Sequence, residues 1–186
     1  ETDLPPLALY GVNQAGTHLV VTTRGPNDNF SALYEISLDD GEWRGPLLRK
    51  DGHDIARVLM DDNRVVAGVE YGGLEPSYGM FDDTVSKDLE VLRSMVPGAA
   101  VRLDSWSADW SKLLIYIEGT GYAGRFFSYD RNAQKLIALA EARPQIPSDE
   151  VADVLTIEYK ARDGLKIPSI LTLPKGVTPE TAKNLP

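Results

Sequence analysis

Val154–Pro174 reads VLTIEYKARDGLKIPSILTLP, and the reading of this stretch decides the reading of the chain. Leu155, Ile157, Tyr159 and Ala161 alternate with Thr156, Glu158 and Lys160. That period of two turns one side of a strand toward an apolar surface. Arg162-Asp163-Gly164 supplies turn chemistry, because glycine accepts positive φ without a Cβ clash. A second apolar run, Ile167–Leu173, leads away from the turn and stops at Pro174. Pro168 cannot donate to a ladder, so the second strand is expected at a sheet edge or to begin beyond it. Pattern alone predicts one β-hairpin.

Upstream of the hairpin the chain repeats itself. Val12–Thr17 leads into His18–Thr23, Met60–Asn63 into Arg64–Val69, and Ser107–Ser111 into Lys112–Ile117. Each turn-then-strand unit is followed by an aromatic-bearing strand: Ala32–Ile36, Ser77–Phe81 and Phe126–Asp130. A period in the forties (roughly 40–50 residues) with several short strands per unit is the mark of propeller blades. The first unit accommodates four strands, Leu7–Tyr10, His18–Thr23, Leu33–Leu38 and Trp43–Leu48, with Asp39-Asp40-Gly41 as a hairpin turn. The second accommodates Ile55–Met60, Val65–Tyr71 and Tyr78–Phe81, and the third Val101–Trp106, Leu113–Glu118, Phe126–Asp130 and Lys135–Ala140. Asp61 and Asp109 sit in turns where a carboxylate binds its own local backbone, a structural role in preference to calcium binding.

The middle unit departs from the strand pattern at Asp82–Pro97. Val85, Leu89, Leu92 and Val96 mark one face of a helix. Asp82 or Asp83 caps its start and Pro97-Gly98 closes it. The spacing predicts a helix of about three turns inserted between the third and fourth strands of that blade.

Composition narrows the classes. A 42% hydrophobic content suffices for a packed core. No cysteine is present, so disulfides and thiolate metal sites are excluded. No run of about 18 apolar residues exists to cross a membrane, and Glu1–Gly11 lacks the pattern of a signal peptide. A net charge of −9 repels phosphate backbones, so nucleic acid is not an expected partner. None of this separates a cytoplasmic from a periplasmic location.

Several segments resemble the prolyl oligopeptidase family, including its bacterial acylaminoacyl peptidases and dipeptidyl peptidases. They are Lys160–Leu165 with Ile167-Pro168 and Leu171–Gly176, Phe81-Asp82 before the helix, Trp106-Ser107-Ala108-Asp109 with Lys112, and Ala140-Glu141-Ala142-Arg143-Pro144. The likeness runs in order along nearly all of the chain, with Trp110 where the family more usually has glycine. It implies a β-propeller followed by an α/β-hydrolase domain. On that reading residues 1–145 are the C-terminal blades, about three of four strands each with one helical insertion. Residues 146–153, in the polar Pro-bounded stretch PQIPSDE and its continuation, are a linker. Residues 154–186 are the opening hairpin of the peptidase domain, truncated.

The same resemblance implies a Ser-Asp-His triad with the serine on a G-x-S-x-G elbow. No such elbow occurs in these 186 residues. The family's H-G-G-P oxyanion motif would follow Pro186. His18 and His53 lie in blade segments with no nucleophile or orienting acid beside them. Gly72-Gly73 lacks the lysine and helix of a phosphate loop. Asn27-Asp28-Asn29 and Asp61-Asp62-Asn63 lack the spacing of a calcium loop. Glu70, Glu75 and Glu118 could meet a peptide amino terminus, but read more simply as solvated loop charges. No catalytic, cofactor-binding or metal residue is assigned, and no cofactor is expected.

The expectation is a non-catalytic propeller segment of a serine peptidase that cuts short or N-acylated peptides and gates their access. Its partners would be the rest of the parent chain, the parent's short peptide substrates, and further copies joined through open blade edges. The alternative is a non-catalytic propeller that binds proteins or peptides. A complete β-sandwich is a third reading, which leaves the repeat period to coincidence.

Overall fold

A computed structural model of the chain describes residues 7–25, 28–183 and 185. They form four antiparallel sheets and one α-helix. The chain gathers into two compact units, residues 1–87 and residues 88–186.

The first unit holds two meander sheets. One has the order β1 (Ala8–Val12), β2 (His18–Arg24), β3 (Ser31–Ser37), β4 (Trp43–Leu48), and the other β5 (Ile55–Met60), β6 (Val66–Tyr71), β7 (Ser77–Met80). Valines and tyrosines recur in these strands, where branched and flat side chains pack well on a pleated surface. Val20 and Leu33 from the first sheet and Val58, Val66, Val69 and Tyr71 from the second form one buried cluster. Polar contacts brace the same two sheets. Asp54 Oδ1 accepts from the Ser31 backbone N–H at 2.8 Å and from its hydroxyl at 3.0 Å, and Ser31 Oγ accepts from Ile55 N–H at 2.9 Å. Arg24 Nη2 lies 3.4 Å from the same carboxylate. Arg64, at φ +62, donates from its guanidinium to the Tyr10 carbonyl, and its own carbonyl accepts from Val12 N–H at 3.2 Å.

Helix α1 (Asp83–Ser94) follows β7. Asp82 caps it, its Oδ1 accepting from Thr84 N–H at 2.8 Å and from the Thr84 hydroxyl at 2.6 Å. Val85, Leu89, Leu92 and Val96 are all buried, as their spacing predicts, while Val91 and Met95 on the opposite side are exposed. The helix does not interrupt the middle blade between two of its strands. The strand after it, β8 (Ala99–Trp106), joins the next sheet, and among the described residues β5-β6-β7 has no fourth strand. The expected fourth strand was inferred from the repeat, which would place it after the helix.

The second unit holds a four-stranded meander with order β11-β10-β9-β8, where β9 is Lys112–Gly119, β10 Tyr122–Asp130 and β11 Lys135–Glu141. Val101, Leu103, Leu113, Ile115, Ile117, Phe127 and Tyr129 are buried. Their alternation along β8, β9 and β10, with Leu103 opposite Ile115 and Ile115 opposite Phe127, places them on one side of the sheet. Helix α1 is tied to the turn after β10 by Arg131, whose Nε approaches Asp88 Oδ2 at 2.6 Å. Last comes a two-stranded hairpin, β12 (Val154–Lys160) with β13 (Lys166–Thr172), in register from Val154 opposite Thr172 to Lys160 opposite Lys166. Pro168 lies within β13, which among the described residues pairs with β12 alone, so the strand is an edge as its proline requires.

Candidate functional site: the junction of the last sheet and the terminal hairpin

The two turns read as structural are so. Asp61 Oδ1 accepts from Asn63 N–H at 2.9 Å and Val65 N–H at 2.8 Å. Asp109 Oδ1 accepts from the Ser107 hydroxyl at 2.7 Å and from Ser111 N–H at 3.1 Å. Hydrogen bonds from the Ser107 hydroxyl and from the Ser111 N–H and hydroxyl hold the Asp109 carboxyl down to about 2. Trp110 follows at φ +57, its ring stacked on Trp106 with centroids 4.6 Å apart.

His18 Nδ1 contacts the Thr17 hydroxyl at 2.8 Å, and His53 Nδ1 contacts the Asp51 carbonyl at 2.9 Å, so both rings serve local turns. Glu70 and Glu118 lie on strands β6 and β9, which corrects their reading as loop charges. Each is neutralised by an arginine on the neighbouring strand: Arg57 Nη2 at 2.9 Å from Glu70, and Arg102 Nε at 3.4 Å from Glu118. Tyr116 also donates its hydroxyl to Glu118 at 3.2 Å. Glu75 lies in the β6–β7 loop. Asn27 lies outside the described residues. Among the described residues no group of three or more His, Cys, Asp or Glu is placed to hold a metal ion.

The arrangement that carries functional meaning is where the last sheet receives the hairpin. Thr120 occupies the β9–β10 turn, and its Oγ1 accepts from Val154 N–H, the first residue of β12, at 2.9 Å. Two glycines let the hydroxyl reach that far. Gly98 has φ +77, and a Cβ on it would lie 2.9 Å from Thr120 Oγ1. Gly119 has φ +132, and a Cβ there would lie 2.6 Å from the Gly98 carbonyl. Thr120 N–H in turn donates to that carbonyl at 3.0 Å. The chain between β11 and β12 is fastened along the way. Ala142 N–H donates to Gly124 O at 2.8 Å, Arg143 Nη1 to Ala123 O at 2.7 Å, and Ile146 N–H to Arg143 O at 3.0 Å. After a single 3₁₀ turn at Ser148–Glu150, Lys175 beyond the hairpin reaches back to donate to the Asp149 carbonyl.

Charges crowd this end of the sheet. Arg125 Nε lies 3.8 Å from Glu141 Oε1, with its guanidinium 5.6 Å above the Phe127 ring. The Nε itself is buried without a hydrogen bond. The hairpin presents Leu155, Ile157, Tyr159, Ile167 and Leu171 on one side by register, and Glu158 paired with Lys166 at 2.9 Å on the other. Leu155, Ile157 and Tyr159 are exposed. The hairpin was legible in the sequence. The threonine that seats it was not, because nothing local marks Thr120 as the acceptor for a residue 34 positions later.

No known family profile matches the chain. It is 26% identical over 148 residues to dipeptidyl aminopeptidase BIII of Pseudoxanthomonas mexicana, covering 79% of this chain and 21% of that protein. Solved structures share the fold at low identity. Prolyl oligopeptidase B of Galerina marginata, bound to a 25mer macrocyclization substrate, superposes with TM-score 0.59 at 14% identity, over 95% of this chain and 24% of that one. A chain from a study of two prolyl endopeptidases gives TM-score 0.57 at 13% identity, over 87% of this chain and 24% of that one. The chain therefore spans about a fifth to a quarter of the length of these proteins. The resemblance to prolyl oligopeptidase-family peptidases is borne out, and the fold is mostly β with propeller-type sheets.

Proposed function

We propose that this chain is the access-controlling segment of a serine-type peptidase, comprising propeller blades and the opening hairpin of the hydrolase domain. Blades occupy residues 1–145, the linker 146–153 and the hairpin 154–186. The parent cuts short or N-acylated peptides. The blades exclude folded proteins by size, and the bond-breaking groups lie elsewhere in the parent. The observation that carries this reading is the hairpin seated on the end of the last sheet through Thr120 and Val154. A binding propeller has no need of such a seat, nor of an amphipathic ribbon held beyond its last blade. The peptidase names of the relatives support the reaction class.

The test is to express the full reading frame that encodes this chain. It is then offered dipeptide-yielding peptides, N-acylated short peptides and a folded protein. Cleavage of a short-peptide class, with the folded protein intact and activity lost to a serine-directed fluorophosphonate, is the expected result. Peptide binding without hydrolysis would overturn it in favour of the binding module. Equal cleavage of the folded protein would remove the gating role.

A further inference from the structure

We propose that β11 is a self-association edge, through which two copies of this chain join antiparallel about a two-fold axis at Ala138. The inference does not rest on the peptidase reading. In the order β11-β10-β9-β8, β11 is outermost, and among the described residues its outer side pairs with nothing. An open edge is a template for another strand unless it is blunted by charge, proline or distortion. The equivalent outer strand of the first sheet, β4, is blunted. Arg44, Gly45 and Pro46 stand in it, and Pro46 has no N–H to offer. Strand β11 reads Lys-Leu-Ile-Ala-Leu-Ala-Glu, with no proline, no glycine and no charge between its ends. Ile137 is 45% and Leu139 57% exposed. The pairing with β10 shifts by one residue at Leu139 of β11, which has no residue opposite it, and β4 carries a comparable shift on β3, so the absence of proline, glycine and internal charge is what separates the two edges.

The charges select the occupant. In antiparallel pairing centred on Ala138, Lys135 of each copy falls opposite Glu141 of the other, and Ile137 opposite Leu139. Opposite charges and apolar pairs directly across strands are the stabilising combinations, and like charges across strands the destabilising ones. Parallel pairing in register would set lysine against lysine and glutamate against glutamate. A slip of two residues would lose both ion pairs. Glu141 is open to this exchange, since its side chain is 45% exposed and, among the described residues, its ion pair is the long 3.8 Å approach of Arg125. The edge is thus complementary to itself, as an isologous interface must be.

The test is sedimentation velocity over a concentration series, with circular dichroism to verify folding of each variant. The unmodified chain is expected to dimerise reversibly. Lys135→Glu and Glu141→Lys should each weaken dimerisation at least tenfold. An equimolar mixture of the two should recover it, because each introduced charge then meets its opposite. The chain contains no cysteine, so Ala138→Cys reports on itself alone, and mild oxidation should cross-link it at the two-fold axis. Leu47→Cys on the blunted β4 edge should stay uncross-linked. A monomer at the highest soluble concentration, a mixture that fails to recover, or equal cross-linking at both positions would each overturn the proposal.

Discussion

Thr120→Val isolates the seat of the hairpin. Valine matches threonine in shape but replaces the hydroxyl that accepts from Val154 N–H at 2.9 Å. An unpaired donor costs about 1–3 kcal/mol when fully buried. This one is part-buried, so water recovers some of the loss and the expected cost is about 1–1.5 kcal/mol. At about 1.4 kcal/mol per tenfold, that is a five- to twelvefold rise in local opening. Amide hydrogen exchange reads it directly, because exchange tracks local opening free energy. Val154 should exchange five to twelve times faster. Amides along β12 and β13 should follow, since a lone two-stranded hairpin is marginal in water. Ile115, in the central strand β9 of the neighbouring sheet, should not change. Thr120→Ser retains the hydroxyl and should retain the protection. A change under twofold at Val154, or a serine variant as labile as the valine variant, would refute the assignment of the seat to this bond.

Three further outcomes are expected. Gly98→Ala forces a side chain into φ +77 with its Cβ 2.9 Å from Thr120 Oγ1, so denaturant titration should show a loss of at least about 1–2 kcal/mol. Leu33→Ala empties a fully buried position among Val20, Val58, Val66, Val69 and Tyr71 and should cost about 2–5 kcal/mol, whereas Leu139→Ala at the exposed edge should cost under about 0.5 kcal/mol in dilute solution. The Asp54 carboxyl is held below its ordinary value, chiefly by the Ser31 backbone N–H. A depressed folded pKa gives stability present above the unfolded value of about 4 and lost as pH falls through the folded one. Asp54→Asn should therefore flatten the acid limb of stability against pH. Because the side chain is 46% exposed, the effect should stay under about 1 kcal/mol.

Local chemistry was legible where it acts over a few residues. The bounds of β4 and β5, Trp43–Leu48 and Ile55–Met60, follow from the turn residues that flank them, Asp39-Asp40-Gly41 before the first and Asp61-Asp62-Asn63 after the second. The buried stripe of α1 follows from helical spacing, and the turns at Asp61 and Asp109 from carboxylates beside backbone donors. What escaped reading joins residues far apart in the chain. Asp54 accepts from Ser31 across 23 positions, and Thr120 from Val154 across 34. Glu70 and Glu118 looked like free charges because strand register, which sets Arg57 opposite Glu70 and Arg102 diagonally across from Glu118, is not written in either residue's neighbourhood. The repeat itself misled at one place. It asked for a fourth strand in the middle sheet after the helix, and the strand that follows Val85–Val96, β8, pairs with β9 instead.

The link between Asp88 and Arg131 bears on how the chain is made. The two side chains are only 20% and 14% exposed, and they lie 43 positions apart. At about 5–20 residues per second, synthesis delivers the arginine roughly 2–9 s after the aspartate. For an interval of that length after α1 emerges from the ribosome, its apolar stripe is present and its ionic tether is not. Arrested chains that have exposed residues 83–96 but not residue 131 should therefore show faster amide exchange in α1 than released chains do, and Arg131→Met should carry that faster exchange into the released chain.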